Sequence, residues 1–265
     1  MSGGRDGDAA PAATVLLLRD QPAFEVLMIS RHEKSAFAGG ALVFPGGRVD
    51  PGDSSPDWRL FASGLDADAG VSAAQIAAIR EAFEETGVLL ARDADGGFIG
   101  ADRILAINDW RQRIEKNDLL FLDLIKREKL VLACDALHLF AHWIAPPGLH
   151  RRFDTLFFAA RFPEGQAVLE DGNEATEALW ISPQDALAAR AGGERKIIFP
   201  TACNLGLLGR SASAADAFDF AASRPIRPVT PILIMKDGKP FLRIPDDLGY
   251  PAVEESLESA RPDLT

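Results

Sequence analysis

The stretch Arg80-Glu81-Ala82-Phe83-Glu84-Glu85-Thr86-Gly87-Val88 constrains this chain more than any other. On an α-helix Glu81 and Glu85 stand at i and i+4, one above the other, with Glu84 beside them. Three carboxylates on one turn repel one another. They also sit just before Gly87, a natural residue for ending a helix, where the helix dipole is itself negative. Selection for helix stability alone would place cations there. The arrangement asks for an external positive charge, and hard oxygen donors of this kind suit Mg²⁺ or Mn²⁺ rather than zinc. Ser72 with Gln75 forms a capping-box pattern, so the predicted helix runs from about Ala73 to Thr86.

Strands and helices alternate around this helix. Ala13–Leu18 and Phe24–Ser30 read as a strand hairpin, and Ala41–Phe44 as a short strand stopped by Pro45-Gly46-Gly47. Arg103–Lys129 looks helical with a break near Asn117-Asp118. Leu130–Cys134, His138–Ile144, Arg152–Phe162 and Glu177–Ile181 read as strands. Arg152–Phe162 is apolar on both pleat faces, which marks a central strand. Ser182-Pro183 opens a helix, Thr201–Arg210 looks helical, and Thr230–Met235 turns at Asp237-Gly238 into Phe241–Ile244. The mixture predicts an α/β fold in one domain over residues 14–251. Residues 1–13 are expected to be a disordered tail rather than a signal peptide, and residues 252–265 a C-terminal tail.

The formal net charge of −11 argues against nucleic-acid binding, which rests on phosphate neutralisation by Lys and Arg. It does not exclude a small polyphosphate drawn in by bound metal and a few arginines. No apolar run approaches the roughly 18 residues of a membrane span, so the expected location is the cytoplasm. Cys134 and Cys203, the only two cysteines, lie in apolar settings and read as buried thiols. His32, His138, His142 and His150 show no metal-binding spacing, and the four tryptophans read as packing residues.

Gly46-Gly47, Asp53 and Arg80–Val88 together resemble the signature of Nudix hydrolases, G-x5-E-x7-R-E-U-x-E-E-x-G-U, where U is a bulky aliphatic residue. The second half matches at every defined position except Ala82. Gly47 to Asp53 keeps the five-residue gap, but residues 54–79 lie where seven are expected. Two readings are open: residues of about 54–71 are inserted and Asp53 keeps a structural role, or the acid is lost and Ser72, which falls at its register, only caps the helix. With Phe44-Pro45, Trp58, His142-Trp143-Ile144 and Arg151–Thr155, the chain is similar to the branch of peroxisomal-type coenzyme A diphosphatases that carries an insertion inside the box.

The resemblance implies a Nudix-type α/β/α sandwich with a mixed sheet, carrying the box insertion and a helical insertion at about 103–129. It implies Glu81, Glu84, Glu85 and the Gly46 carbonyl as ligands of Mg²⁺ or Mn²⁺, with Arg80 orienting Glu81. Glu81 and Glu84 are candidates for the chemistry itself, and Glu174 and Glu177 for a general base outside the box. Arg31, Gly47, Arg151 and Arg152 are candidate substrate contacts. The implied substrate is a small nucleoside diphosphate derivative, foremost coenzyme A or acyl-coenzyme A. ADP-ribose, NADH and a diadenosine polyphosphate are the alternatives, and a noncatalytic ligand-sensing module is the rival of another class. The box insertion could close over the substrate or form the contact of a homodimer.

Overall fold

The computed structural model describes residues 9–32, 39–147, 152–169 and 175–260. The chain opens with β1 (Ala10–Arg19) and β2 (Glu25–Arg31), the expected hairpin, followed by β3 (Leu42–Val43) and β4 (Gly46–Arg48). The box insertion holds α1 (Trp58–Phe61) and β5 (Ala62–Ser63), and then α2 (Ala69–Thr86) carries the glutamates. After β6 (Ala91–Arg92) come α3 (Ala101–Ile107), α4 (Arg111–Lys116) and α5 (Leu119–Glu128), broken at 117–118 as predicted. Strands β7 (Val131–Ala133), β8 (His138–Ile144), β9 (Phe153–Arg161) and β10 (Ala175–Ile181) follow. Helices α6 (Pro183–Ala191), α7 (Phe199–Leu208) and α8 (Ala214–Ala222) precede β11 (Pro228–Val229). The chain then forms β12 (Ile232–Lys236), β13 (Lys239–Arg243), β14 (Glu254–Ser256) and α9 (Leu257–Ala260).

The main sheet runs β10-β2-β1-β9-β8-β11, with β3 on β2 and β4 on β1. It is mixed: β1 and β9 pair in parallel from Ala10↔Phe153 to Leu18↔Arg161, whereas β8–β9 and β10–β2 are antiparallel. Strand alternation divides the core between the two faces. From β1, Ala13, Val15 and Leu17 pack with Ile79 and Phe83 of α2, while Leu16 and Leu18 pack with Leu205 of α7 and Ala217 of α8. Helices on both faces of one sheet make the expected α/β/α sandwich. Among the described residues, no helix is long and apolar enough to cross a membrane.

Several boundaries differ from expectation, each for a local reason. Helix α2 starts at Ala69, because Asp68 accepts hydrogen bonds from Gly70 N at 2.8 Å and Val71 N at 3.0 Å. Ser72 lies within the first turn, and the Gln75 side chain bonds Asp66 N and Gly64 O instead of capping. Gly46-Gly47 belongs to β4, paired with Thr14 and Ala13, rather than to a turn. Ala10–Ala13, expected in the N-terminal tail, begin β1, and the C-terminal tail expected from 252 contains β14 and α9. Residues 1–8 and 261–265 lie outside the described residues.

The box insertion folds against the helical insertion. Strand β5 pairs in parallel with β7, which also pairs with β6. The Trp58 ring meets that of Phe121 at 5.5 Å, and its Nε1 donates to Gly52 O at 2.9 Å. At the edge of this small sheet Arg92 donates to both Asp135 oxygens, at 2.7 and 2.8 Å, and Ser63 Oγ adds a bond at 2.5 Å. The Arg92 hydrogen bonds, helped by Ser63, hold the Asp135 carboxyl down at about 2 against partial burial. A depressed carboxylate stabilises the fold above its unfolded value, and that contribution disappears as pH falls through the folded one. Asp135→Asn is therefore expected to lower stability at neutral pH, with the gap to the parent closing between about pH 4 and about pH 2. Urea denaturation across that range measures it.

Candidate active site

Arg80 is the centre of the site and is 2% exposed. Its Nε and Nη2 donate to the two oxygens of Asp53, each at 2.9 Å, a fork-to-fork pair. Nη1 donates to Glu81 Oε1 at 2.9 Å and Glu84 Oε1 at 3.0 Å, and Nη2 also reaches the Arg48 carbonyl at 2.8 Å. Burial alone would pull the guanidinium pKa down, but these carboxylates outweigh it and push it up. The position of Asp53 resolves the two readings of the box: the acid is retained across an insertion, and Ser72 does not replace it.

The remaining carboxylate is tied to the glycine strand. Gly46 N donates to Glu85 Oε2 at 2.8 Å, and Arg31 Nη1 lies 3.8 Å from Glu85 Oε1. Gly47 sits against Glu81 so closely that a Cβ there would fall 2.4 Å from Glu81 Oε1. This contact, rather than a special backbone angle, requires glycine. Glu84 is pushed up to about 8 by burial and by the Glu81 charge, against the pull of Arg80. A cation beside it would favour the ionised form.

Among the described residues, no three His, Cys, Asp or Glu side chains converge closely enough to hold a metal ion as they stand. Glu81 and Glu84 turn toward Arg80, and Glu85 toward Gly46. The donor set is nevertheless all oxygen, buried and on one helix turn, which fits a hard divalent cation in chemistry. Glu81, Glu84, Glu85 and the Gly46 carbonyl are the groups that could hold it.

The helical insertion supports this turn from behind. Arg111 of α4, 4% exposed, donates through Nε at 3.0 Å and Nη2 at 2.9 Å to the Glu84 carbonyl. A helix leaves its last carbonyls unpaired and its C-terminal end negative, and a buried guanidinium answers both. Nothing in the spacing of Arg111 from the box announced this contact. It depends on the path of two intervening helices.

The glutamate turn opens into a cleft of about 600 Å³ lined by Arg31, Gly46, Gly47, Arg80, Glu81 and Glu84 among others. Arg48 and Glu115 also line it, and neither was expected. No residue of the box insertion, 54–71, is among the described residues that line the cleft. Glu177 is not brought to the site: on β10 it accepts from Arg195 at 2.6 and 3.0 Å, which holds its pKa down and makes it a poor base. Arg152 points to the Ala145 carbonyl, at 3.1 Å, and does not line the cleft. Glu174 and Arg151 lie outside the described residues. His142 pairs with Asp154, and His138 stacks on Phe218.

Replacing Asp53 by Asn keeps the size but removes the charge opposite a buried guanidinium. Because Glu81 and Glu84 still face Arg80, the expected loss is about 1–3 kcal/mol of unfolding free energy, read by chemical denaturation.

Residues 61–205, more than half the chain, match the family described as the NUDT19 Nudix domain. Over 205 residues the chain is 30% identical to the acyl-coenzyme A diphosphatase NUDT19 of Xenopus laevis, covering 62% of this chain and 54% of that protein. It thus spans about half the length of the frog relative. The human acyl-coenzyme A diphosphatase NUDT19 is 29% identical over 281 residues, covering 89% of this chain and 75% of that one. A crystal structure of a Nudix hydrolase from Alicyclobacillus acidocaldarius superposes with a TM-score of 0.68 at 28% identity, covering 80% of this chain and 96% of the other. The carboxylate turn held by Arg80, on a sandwich of this topology, is thus a Nudix box interrupted by an insertion, and the chain belongs to the Nudix family through its NUDT19 Nudix domain.

Proposed function

We propose that this chain is a Mg²⁺- or Mn²⁺-dependent diphosphatase that cleaves coenzyme A or an acyl-coenzyme A to phosphopantetheine, or its acyl form, and adenosine 3′,5′-bisphosphate. The observation that carries this reading is the intact carboxylate turn, whose Glu81 and Glu84 line a cleft that also presents Arg31 and Arg48, with Glu85 next to them on Gly46 N. The names of the frog and human relatives support the substrate class. Retention of all three glutamates speaks for an enzyme rather than a sensing module. Glu81, Glu84, Glu85 and the Gly46 carbonyl would hold the metal, whose chemistry when bound would be charge neutralisation at the diphosphate and a lowered pKa for water.

The protein groups have distinct tasks. Arg80, saturated by Asp53 and the box glutamates, holds the carboxylates in place rather than touching substrate. Arg31 borders both Glu85 and the cleft, and its Nε has no hydrogen-bond partner among the described residues, so it is the phosphate contact of this reading. Gly47 lets Glu81 approach the strand. Glu174 remains the candidate base outside the box. A second copy of the chain has apolar surface to meet at two places, Ile232, Leu233 and Met235 on β12 and Leu60 on the box insertion.

Turnover with Mg²⁺ of coenzyme A, ADP-ribose, NADH and a diadenosine polyphosphate tests the substrate. Coenzyme A is expected to give the largest kcat/KM, and a much faster reaction with ADP-ribose or NADH would overturn the reading. Glu81→Gln and Glu85→Gln are expected to lower kcat by about 10²–10³-fold with the fold kept, whereas Glu177→Gln should change it less than about twofold. Gly47→Ala should behave like the Glu81 variant, because its methyl group displaces that carboxylate.

A further inference from the structure

The cleft is divided by polarity. Among the described residues, every charged one lining it belongs to the box end: Arg31, Arg48, Asp50, Arg80, Glu81, Glu84, with Glu115 from α4. Beyond them the floor crosses the sheet in a row of paired residues, Arg48↔Ala12, Ala12↔Thr155 and Thr155↔Trp143, all four lining the cleft. Three strand spacings of ~4.8 Å carry this row ~14 Å from the glycine strand. At the far end the lining is apolar: Trp143, Phe157, Ile198, Phe199, Leu242 and Leu257. Trp143 is fixed by its Nε1 donating to the Tyr250 hydroxyl at 3.1 Å and by edge-on contact with Phe199 at 6.2 Å. The last wall is C-terminal, from β13 and α9, with Leu242, Leu257 and Ala260.

We infer that this apolar arm receives the pantetheine end of the substrate and the acyl chain on its sulfur, and that β13 and α9 set the chain length it accepts. The inference rests on the coenzyme A reading above. If the diphosphate lies at the box, two halves of the substrate must leave it in different directions. The adenosine half carries a further phosphate, which requires a cation, and the arm offers none among the described residues. The other half bears no charge and ends in hydrocarbon when acylated. An extended pantetheine arm is long enough to cross the three strand spacings and deliver its thioester to Trp143 and Leu257. Burial of a flexible chain against side chains held this firmly yields affinity that rises with each methylene.

The test compares free coenzyme A with hexanoyl- and dodecanoyl-coenzyme A, in the parent and in Leu257→Trp, which narrows the arm at a half-buried position. In the parent KM is expected to fall with chain length. In Leu257→Trp the ratio of KM for free coenzyme A to KM for the dodecanoyl ester should drop roughly tenfold, the scale of a lost methylene contact or more. Leu242→Ala, which widens the same wall, should shift the preference toward the longer ester. S-dodecanoyl-pantetheine, which lacks the diphosphate, supplies an independent readout: calorimetry should show it binding the parent and binding Leu257→Trp about tenfold more weakly. Equal KM values for all three substrates in the parent, unaltered by either variant, would overturn the arm while leaving the diphosphatase reading standing. If no coenzyme A compound is turned over, the diphosphatase reading fails instead, and the pantetheine thioester binding alone decides the arm.

Discussion

The structure depends on one buried guanidinium. Arg80 lies where Asp53, Glu81 and Glu84 would otherwise share a space nearly closed to water. Removing a charge from water costs several kcal/mol, and only close opposite charges with satisfied hydrogen bonds offset it. Here each donor direction of the side chain has an acceptor, including the Arg48 carbonyl on the glycine strand. A single residue therefore joins α2, β4 and the turn that precedes the box insertion. Because its bonds to Asp53 hold both ends of the excursion, the chain between them can lengthen at little entropic cost, since loop closure grows only slowly with length.

Much of this was legible in residues whose local physics has one solution. The i, i+4 glutamates before Gly87 predicted a helix ending in a carboxylate turn, and α2 ends there with Gly87 in the left-handed conformation. The doubly apolar Arg152–Phe162 segment became a central strand, and Ser182-Pro183 opened a helix. What escaped was carried by distance or by the absence of side chains. Gly46 and Gly47 have none to reveal a strand, so β4 read as a turn. Asp68 won the helix start over Ser72 because Gln75, the other half of the expected box, was engaged by Gly64 and Asp66. Glu177 had the composition of a base but acquired Arg195, from eighteen positions further on, as its partner. Helix α8, capped by Ser213 with Asp216 at its third position, was readable and overlooked, because alanines diluted its pattern.

The two insertions meet each other, and only the helical one reaches the carboxylate turn. The segment inside the box packs Trp58 onto Phe121 and contributes no lining to the cleft. The helical insertion, unremarkable in sequence, brings Arg111 under the carboxylate turn and Glu115 to the cleft wall. The first insertion is a buttress for the second. Substrate choice is consequently expected from elements far from the box in sequence, above all from β13 and from α9, the latter in a segment that was expected to be a tail.

The parallel pairing of β1 with β9 also governs how such a chain comes into being. Val15 to Leu18 are fully buried in the finished fold, yet the strand that covers one edge of β1 is specified some 140 positions later, as Ala10↔Phe153 shows. During synthesis this apolar ribbon must wait, paired on one side only, while the box, both insertions and β8 emerge. An edge so exposed invites pairing with another chain. The early hairpin with β2 and the short pairing with β4 occupy only the opposite edge, so the edge meant for β9 stays open until β9 itself has been made.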